Sequence, residues 1–232
     1  MQPKHLALVL LVMVLYGSAY PVGKIGTLDA PPMFLAAMRV LCVFLFFLPF
    51  FKFKLPPSRL FLPLLGFSLS MGVCTYAFMY YALSFTSLVA PIVIGAQLAI
   101  PFGLILSLIF LNEKVSFFKW ILILTSFVGI IVIAYDPAFI DERIALIFCI
   151  LMAFFYASAN MMARYLNEID TSALNGWCNF FAFFPLLIGS IFLDGNTLSI
   201  ITELNLSTIL VILHASLIVS VIGHAGMFYL YR

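Results

Sequence analysis

The amino-acid sequence predicts an all-α membrane protein, a polytopic bundle of helices that cross a lipid bilayer. Hydrophobic residues make up 65% of the 232-residue chain and charged residues only 9%, whereas soluble domains carry about 45–50% and about 25%. The apolar residues form eight continuous runs, each near the roughly 20 residues that a helix needs to cross a bilayer. These runs lack the alternation of a transmembrane β-barrel. Because a soluble globule of this size cannot bury so much apolar surface, a soluble domain is excluded.

Eight stretches qualify as spans, and turn-forming pairs such as Pro31-Pro32 and Asp136-Pro137 punctuate the short connections between them. The first stretch resembles the core of a signal peptide. It lacks a cleavage pattern and more spans follow, so we interpret it as a retained helix. The predicted spans cover residues 5–23, 33–51, 60–83, 88–111, 117–135, 144–165, 173–193 and 207–231.

The lysines and arginines of the connections predict that the N-terminus is cytoplasmic. In that orientation eight of them lie inside, whereas only Lys24 and Arg143 lie outside and Arg39 lies within the second span. The carboxylates fall in connections or at span ends, so no Asp or Glu is predicted inside a span.

The first and sixth spans resemble each other at an offset of 140 residues, because Leu15-Tyr16-Gly17-Ser18-Ala19 corresponds to Phe155-Tyr156-Ala157-Ser158-Ala159. The third and eighth spans align at an offset of 148, with Ala77-Phe78-Met79-Tyr80-Tyr81 opposite Ala225-Gly226-Met227-Phe228-Tyr229. Five spans separate equivalent positions, and five is odd, so the two halves enter the membrane in opposite directions. Inverted repeats are characteristic of secondary transporters, although gene duplication also builds channels.

The two predicted repeats differ in length. Residues 1–138 form a first repeat of five spans, and residues 139–232 form a second repeat of three. We therefore predict eight spans of an expected ten in inverted five-helix repeats. We interpret the chain as truncated because Arg232 directly follows the eighth span.

Four motifs follow one another along the first half of the chain. They are Tyr16-Gly17-Ser18-Ala19-Tyr20-Pro21-Val22 with Lys24, Pro31-Pro32 before Ala36-Ala37-Met38-Arg39, Phe78-Met79-Tyr80-Tyr81-Ala82-Leu83, and Leu111-Asn112-Glu113-Lys114. In this order they resemble the EamA-like branch of the drug/metabolite transporter superfamily, and Gly95-Ala96-Gln97 and Ser207-Thr208-Ile209-Leu210 are similar to its O-acetylserine/cysteine exporter subgroup. This resemblance implies ten spans in two repeats, both termini in the cytoplasm, and alternating-access movement of small metabolites.

Polar residues inside spans are costly in lipid and are therefore candidates for function. Arg39 is predicted to be a countercharge for a substrate carboxylate, because a guanidinium pairs with a carboxylate bidentately. The alternative is that Arg39 snorkels to the outer end of its helix. Tyr20 and Asn160 hold equivalent places in the two repeats, so both are predicted to face one cavity, with close helix packing as the alternative.

Gln97 lies between Pro91 and Pro101, which each remove a backbone donor and favour a kink that frees carbonyls to line a cavity. It is predicted to contact a polar substrate, or else to join two helices. His224 aligns with Tyr76, and a histidine that titrates near pH ~6.5 is a candidate for proton coupling, although a packed histidine is favoured. Tyr76, Tyr80 and Trp177 are the candidates for an aromatic cavity wall, whereas most other aromatic residues must be packing.

We therefore predict a secondary transporter of the inner membrane that exports small polar metabolites, such as amino acids or their derivatives. Its predicted partners are a small-molecule substrate and the lipid bilayer, with a homodimer left open, and the net charge of +2 predicts no nucleic acid. We predict no cofactor, no catalytic residue and no metal site. Carboxylates do not cluster inside the spans, and the four cysteines are interpreted as small buried hydrophobes. The alternatives are a non-transporting truncated remnant or assembly partner and, less favoured, a membrane-embedded enzyme.

Overall fold

Eight helices of the described chain are long and apolar enough to cross a membrane, which confirms the predicted multi-pass helical bundle. Over these residues the chain contains no β-strand. The division into two inverted repeats stays a prediction. The computed structural model describes residues 3–50, 56–111, 116–137, 139–195, 200, 202 and 204–223.

The spans, numbered 1 to 8 along the chain, lie close to the predicted stretches. Span 1 continues past its predicted end to Asp29, and the Lys24 ammonium inside it donates to the Leu83 carbonyl oxygen at 3.0 Å. The bounds are Pro3–Asp29, Pro32–Phe50, Ser58–Ser84, Val89–Phe110, Phe117–Ala134, Ile140–Leu166, Thr171–Asp194 and Leu206–Gly223. The regular α-helix of spans 2 to 8 covers Pro32–Phe47, Ser58–Phe67, Tyr76–Ser84, Val89–Ala96, Ala99–Leu111, Phe117–Ala134, Arg143–Ala163, Thr171–Gly189 and Leu206–Leu213.

The core of the bundle is formed mainly by spans 2, 3, 6 and 7, because span 2 packs along span 7 and span 3 packs along span 6. Glycines allow two of the closest approaches. A Cβ on Gly72 of span 3 would collide with the Cβ of Ala182 in span 7, and a Cβ on Gly95 of span 4 would lie 2.7 Å from the Cys149 Sγ in span 6. Span 5 is peripheral and exposes most of its side chains to the surroundings.

Wide turns of π type interrupt the regular helix in spans 3, 7 and 8, at Ser68–Thr75, Ser190–Asp194 and His214–Gly223. Such turns offset the backbone hydrogen bonds and recur at functional sites. In these segments side-chain hydroxyl groups donate hydrogen bonds to backbone carbonyl oxygens. Thr75 donates to the Ser70 carbonyl at 2.7 Å, and Ser220 donates to the Ala215 carbonyl at 3.0 Å. This matters in a bilayer, where water is not available to satisfy a backbone group.

Span 4 is broken at Gln97 and Leu98, as the two prolines predict. Regular helix covers Val89–Ala96 and resumes over Ala99–Leu111. Pro101 has no N–H to donate to the Gln97 carbonyl, and Ile100 N bonds that carbonyl instead at 3.0 Å. The backbone therefore turns more tightly at mid-depth.

Polar contacts tie the spans together at both ends of the bundle. At the predicted outer end, Glu142 accepts from the Ser87 N–H at 2.9 Å and from the Ser87 hydroxyl at 2.6 Å. At the same end, Asp194 accepts from the Phe34 N–H at 3.0 Å, which satisfies a donor in the first turn of span 2. At the predicted cytoplasmic end, Arg59 pairs with Glu168, which joins the start of span 3 to the end of span 6.

Candidate functional site

A cavity of about 390 Å³ lies at mid-depth in the bundle, where spans 1, 2, 3, 4, 6 and 8 meet. Its volume falls at the lower end of the range of about 300–1,000 Å³ that is typical of small-molecule sites. Of the described residues that line it, Arg39 alone carries a charge. Arg39 lies about 10 Å from the start of its helix, at 1.5 Å per residue.

The Arg39 side chain is held inside the protein and does not reach the outer surface. It is only 3% exposed. Its Nε and Nη2 atoms donate to the Ser220 hydroxyl oxygen at 3.2 and 3.0 Å, and its Cζ atom lies 4.0 Å from the centre of the Tyr76 ring. The third nitrogen, Nη1, is buried without a hydrogen-bond partner among the described residues. A charged donor without a partner in the interior is costly, so this nitrogen indicates a place for an acceptor.

The local backbone of span 8 explains how Ser220 reaches Arg39. Ser220 lies in the wide turns of His214–Gly223 and donates its one hydroxyl hydrogen to the Ala215 carbonyl. Both lone pairs of its oxygen therefore point away from its own helix, where they accept the two Arg39 donors. One serine thus satisfies only part of the guanidinium.

The rest of the cavity wall includes several aromatic and thioether side chains. Four tyrosines and four methionines from spans 1, 3 and 6 contribute to it, beside small and aliphatic residues. Methionine is unbranched and polarizable, so it adapts to apolar groups of different shapes. The residues are Tyr16, Tyr20, Tyr76, Tyr156, Met13, Met71, Met79 and Met152.

Gln97 lines the same cavity at the break in span 4. Its side chain is exposed, whereas Gly95, two residues earlier, packs against Cys149 of span 6. The amide can both donate and accept. Together with Thr75, Gln97 gives the wall neutral polar groups near the Arg39 charge.

A second cavity of about 280 Å³ adjoins the first, because Ala99 and Ile100 line both. It lies between the later halves of spans 4 and 6, toward the predicted cytoplasmic end. Its polar lining residues are Ser107, Asn160 and Arg164. The two neighbouring cavities, named together the recess, lie at the centre and toward one end of the bundle.

The structure brings some of the predicted site residues together and separates others. Tyr20, Arg39, Tyr76 and Gln97 line the central cavity, whereas Asn160 lines the second one. Tyr20 and Asn160, which hold equivalent places in the predicted repeats, therefore face different cavities.

Two further candidates, Tyr80 and Trp177, do not line the central cavity, and the third remaining candidate is not among the residues that the structure describes. Tyr80 is 1% exposed and lies one turn after Tyr76, close enough to interact with Arg39. Trp177 packs in a separate apolar cluster with Phe180 and Phe181. His224 lies outside the described residues.

His214 joins spans 1 and 8 beside the site. Its Nε2 atom lies 3.1 Å from the Ser18 hydroxyl oxygen, and its Nδ1 atom is buried without a hydrogen-bond partner among the described residues. His214 does not line either cavity.

Several residues of the two cavities were not predicted from the sequence. Tyr16 and Tyr156 correspond at the offset of 140 residues, and that correspondence was the available signal for both. Arg164 corresponds in the same way to Lys24. No local signal identifies Ser220, because it lies 181 residues from Arg39 and only the fold brings them together.

Comparison with known proteins gives a family and two relatives. The model of the EamA-like transporter family matches residues 4–135, which cover spans 1 to 5. A protein of Escherichia coli (strain K12) named "Probable amino-acid metabolite efflux pump" is 25% identical over 235 aligned residues, which cover 97% of this chain and 77% of the relative. A protein of Salmonella typhimurium (strain LT2) with the same name is 26% identical over 229 residues, which cover 94% of this chain and 74% of the relative.

Proposed function

Because the chain belongs to the EamA-like transporter family, we propose that it is a secondary transporter of small polar metabolites, amino acids or their derivatives. The proposed direction is export, which is supported by the names of the two similar proteins. The proposed location is the bacterial inner membrane with the N-terminus in the cytoplasm. The excess of lysine and arginine in the predicted inner connections supports this orientation.

One observation carries the proposed substrate site. Arg39 lines the central cavity, is 3% exposed and keeps Nη1 without a partner among the described residues. A substrate carboxylate would supply the missing acceptor and would neutralise the buried charge. Tyr20, Tyr76 and Gln97 line the same cavity and would contact the remainder of the substrate. In this proposal Asn160 contacts the substrate in the second cavity, on its way to the centre.

We further propose alternating access between two inverted halves, residues 1–138 and 139–232. Tyr16 and Tyr156, which correspond in the two halves, line one cavity between them, as expected when a site lies where inverted repeats meet. The second cavity continues the recess toward the predicted cytoplasmic end. At the outer end, contacts such as Glu142 with Ser87 hold the spans together. The described arrangement would therefore accept substrate from the cytoplasm.

Flux into liposomes tests this proposal. The purified full chain is reconstituted, and exchange of labelled amino acids and acylated amino acids is measured for the parent and for Arg39→Gln. Loss of a hydrogen bond to a charged group costs about 1.5–3 kcal/mol, so exchange at low substrate should fall about tenfold or more.

The matched control is Arg143→Gln, which removes one positive charge from an exposed side chain outside both cavities and should leave exchange unchanged. Absence of exchange for every carboxylate in the panel would refute transport by this chain. Equal exchange by the parent and Arg39→Gln would refute the substrate site.

A further inference from the structure

The charge of the central cavity is unbalanced. Arg39 supplies one positive charge, and none of the described residues that line the cavity is acidic. The carboxylates Asp29, Glu142 and Asp194 lie at the span ends and not at mid-depth. The described lining by itself is therefore cationic in a region where an uncompensated charge is expensive.

The balance of charge depends on the type of substrate. A carboxylate without an ammonium group brings the occupied cavity to zero net charge. A zwitterionic amino acid also pairs with Arg39, but it carries a second charge, and none of the described lining residues supplies a carboxylate for it. Tyrosine hydroxyls can accept hydrogen bonds from an ammonium, yet they provide no compensating charge, and one side of the Tyr76 ring is already covered by Arg39.

The remaining wall indicates the nature of the rest of the molecule. Tyr16, Tyr20 and Tyr156 surround the cavity together with four methionines, so a sizeable apolar group can be buried beside the carboxylate. Methionine side chains change shape easily and are used at surfaces that bind varied apolar groups. The volume of about 390 Å³ leaves room for such a group.

We propose that the preferred substrate is a monoanionic carboxylate with an apolar body and no free ammonium group, such as an N-acylated amino acid, in preference to a zwitterionic amino acid. This inference rests on the proposed function, because it assigns the substrate class to the same site. It adds a specific order of affinities among molecules of nearly equal shape.

Binding of four probes to the purified full chain at pH 7 tests this order by calorimetry. N-acetylphenylalanine and 3-phenylpropionate are monoanions, phenylalanine is a zwitterion, and 2-phenylethylamine is a cation. We expect the dissociation constants of both monoanions to be at least about tenfold lower than that of phenylalanine. The reason is that a buried ammonium without a counterion is poorly compensated. The cation should show no saturable binding.

A charge placed in the wall should change this order in a defined way. Gln97→Glu adds a carboxylate at nearly constant shape, so phenylalanine should gain about tenfold in affinity relative to N-acetylphenylalanine. Gln97→Leu is the matched control, because it removes the amide without adding charge and should keep the preference for the monoanions. The four probes on the parent chain test the inference even if a variant does not fold.

The outcomes separate this inference from the proposed function. If phenylalanine binds as tightly as the monoanions, or if Gln97→Glu leaves the ratio unchanged, the inference is wrong. If both monoanions and phenylalanine bind equally well to the parent and to Arg39→Gln, the carboxylate site is wrong as well. If none of the probes binds, the inference is wrong, and the proposed function is decided by the flux measurement alone.

Discussion

The bond between Arg39 and Ser220 gives the most specific test of how the site is built. In Ser220→Ala, the guanidinium loses the acceptor of its Nε and Nη2 atoms, which lie 3.2 and 3.0 Å from the hydroxyl oxygen. Hydrogen bonds between membrane helices average about 0.6 kcal/mol and reach about 1.7, whereas bonds to charged groups reach about 1.5–3. Because one oxygen serves two charged donors, we expect a loss of about 1.5 kcal/mol in the free energy of unfolding.

A double-mutant cycle with Arg39→Gln isolates this interaction. Ser220 also donates to the Ala215 carbonyl in its own helix, and the loss of that bond is common to both backgrounds. We expect Ser220→Ala to cost about 0.5 kcal/mol in the Arg39→Gln background, which leaves a coupling of about 1 kcal/mol. Unfolding is followed in mixed micelles by titration with a denaturing detergent.

Ser216→Ala is the control for this cycle. Ser216 is buried in the same wide-turn segment and donates to the Ile212 carbonyl at 2.7 Å, whereas the Arg39 hydrogen bonds described above are made to Ser220. Its cost should be equal in the two backgrounds. A coupling of Ser220 to Arg39 below about 0.3–0.5 kcal/mol, the range in which independent sites add, would refute the reasoning.

Three other substitutions test the packing, the helix break and the outer end. Gly72→Ala should lower the free energy of unfolding by about 1–3 kcal/mol through collision with Ala182, whereas Gly129→Ala, which has open space, should be neutral or slightly stabilising; equal effects would contradict the close approach. Pro101→Ala should raise the melting temperature and slow exchange in liposomes, because its N–H can continue the helix across Gln97; unchanged exchange would contradict a role for the break. Glu142→Gln should lower the free energy of unfolding by about 1–2 kcal/mol, because it weakens charge-assisted bonds at the start of span 4; stability equal to that of the parent would contradict this role.

The sequence predicts the spans well because the hydrophobic runs and the prolines are local signals. The break in span 4 follows from Pro101, which lacks the N–H that the Gln97 carbonyl would otherwise accept. The wide turns of spans 3 and 8 were not predicted, because they depend on packing between spans. Ser220 accepts hydrogen bonds from Arg39 only when spans 2 and 8 pack together. No pattern within either span therefore predicts this pair.

The candidate site was only partly predicted for a related reason. Arg39 and Gln97 are conspicuous because polar side chains are rare inside apolar runs. Tyrosines are numerous, and their sequence positions alone do not distinguish Tyr20, which lines the cavity, from Tyr80, which is buried beside it. The direction in which each ring points depends on the rotation of its helix in the bundle.

The central claim is that the Arg39 guanidinium binds a substrate carboxylate. Solid-state NMR tests it directly with ¹⁵N-labelled arginine side chains and with phenylalanine or N-acetylphenylalanine, whichever binds more tightly, labelled with ¹³C in the carboxylate. We predict a dipolar coupling between the bound carboxylate carbon and a guanidinium nitrogen in the parent protein, and its loss in Arg39→Lys. A bound ligand without this coupling, or a coupling that persists in Arg39→Lys, would contradict the account.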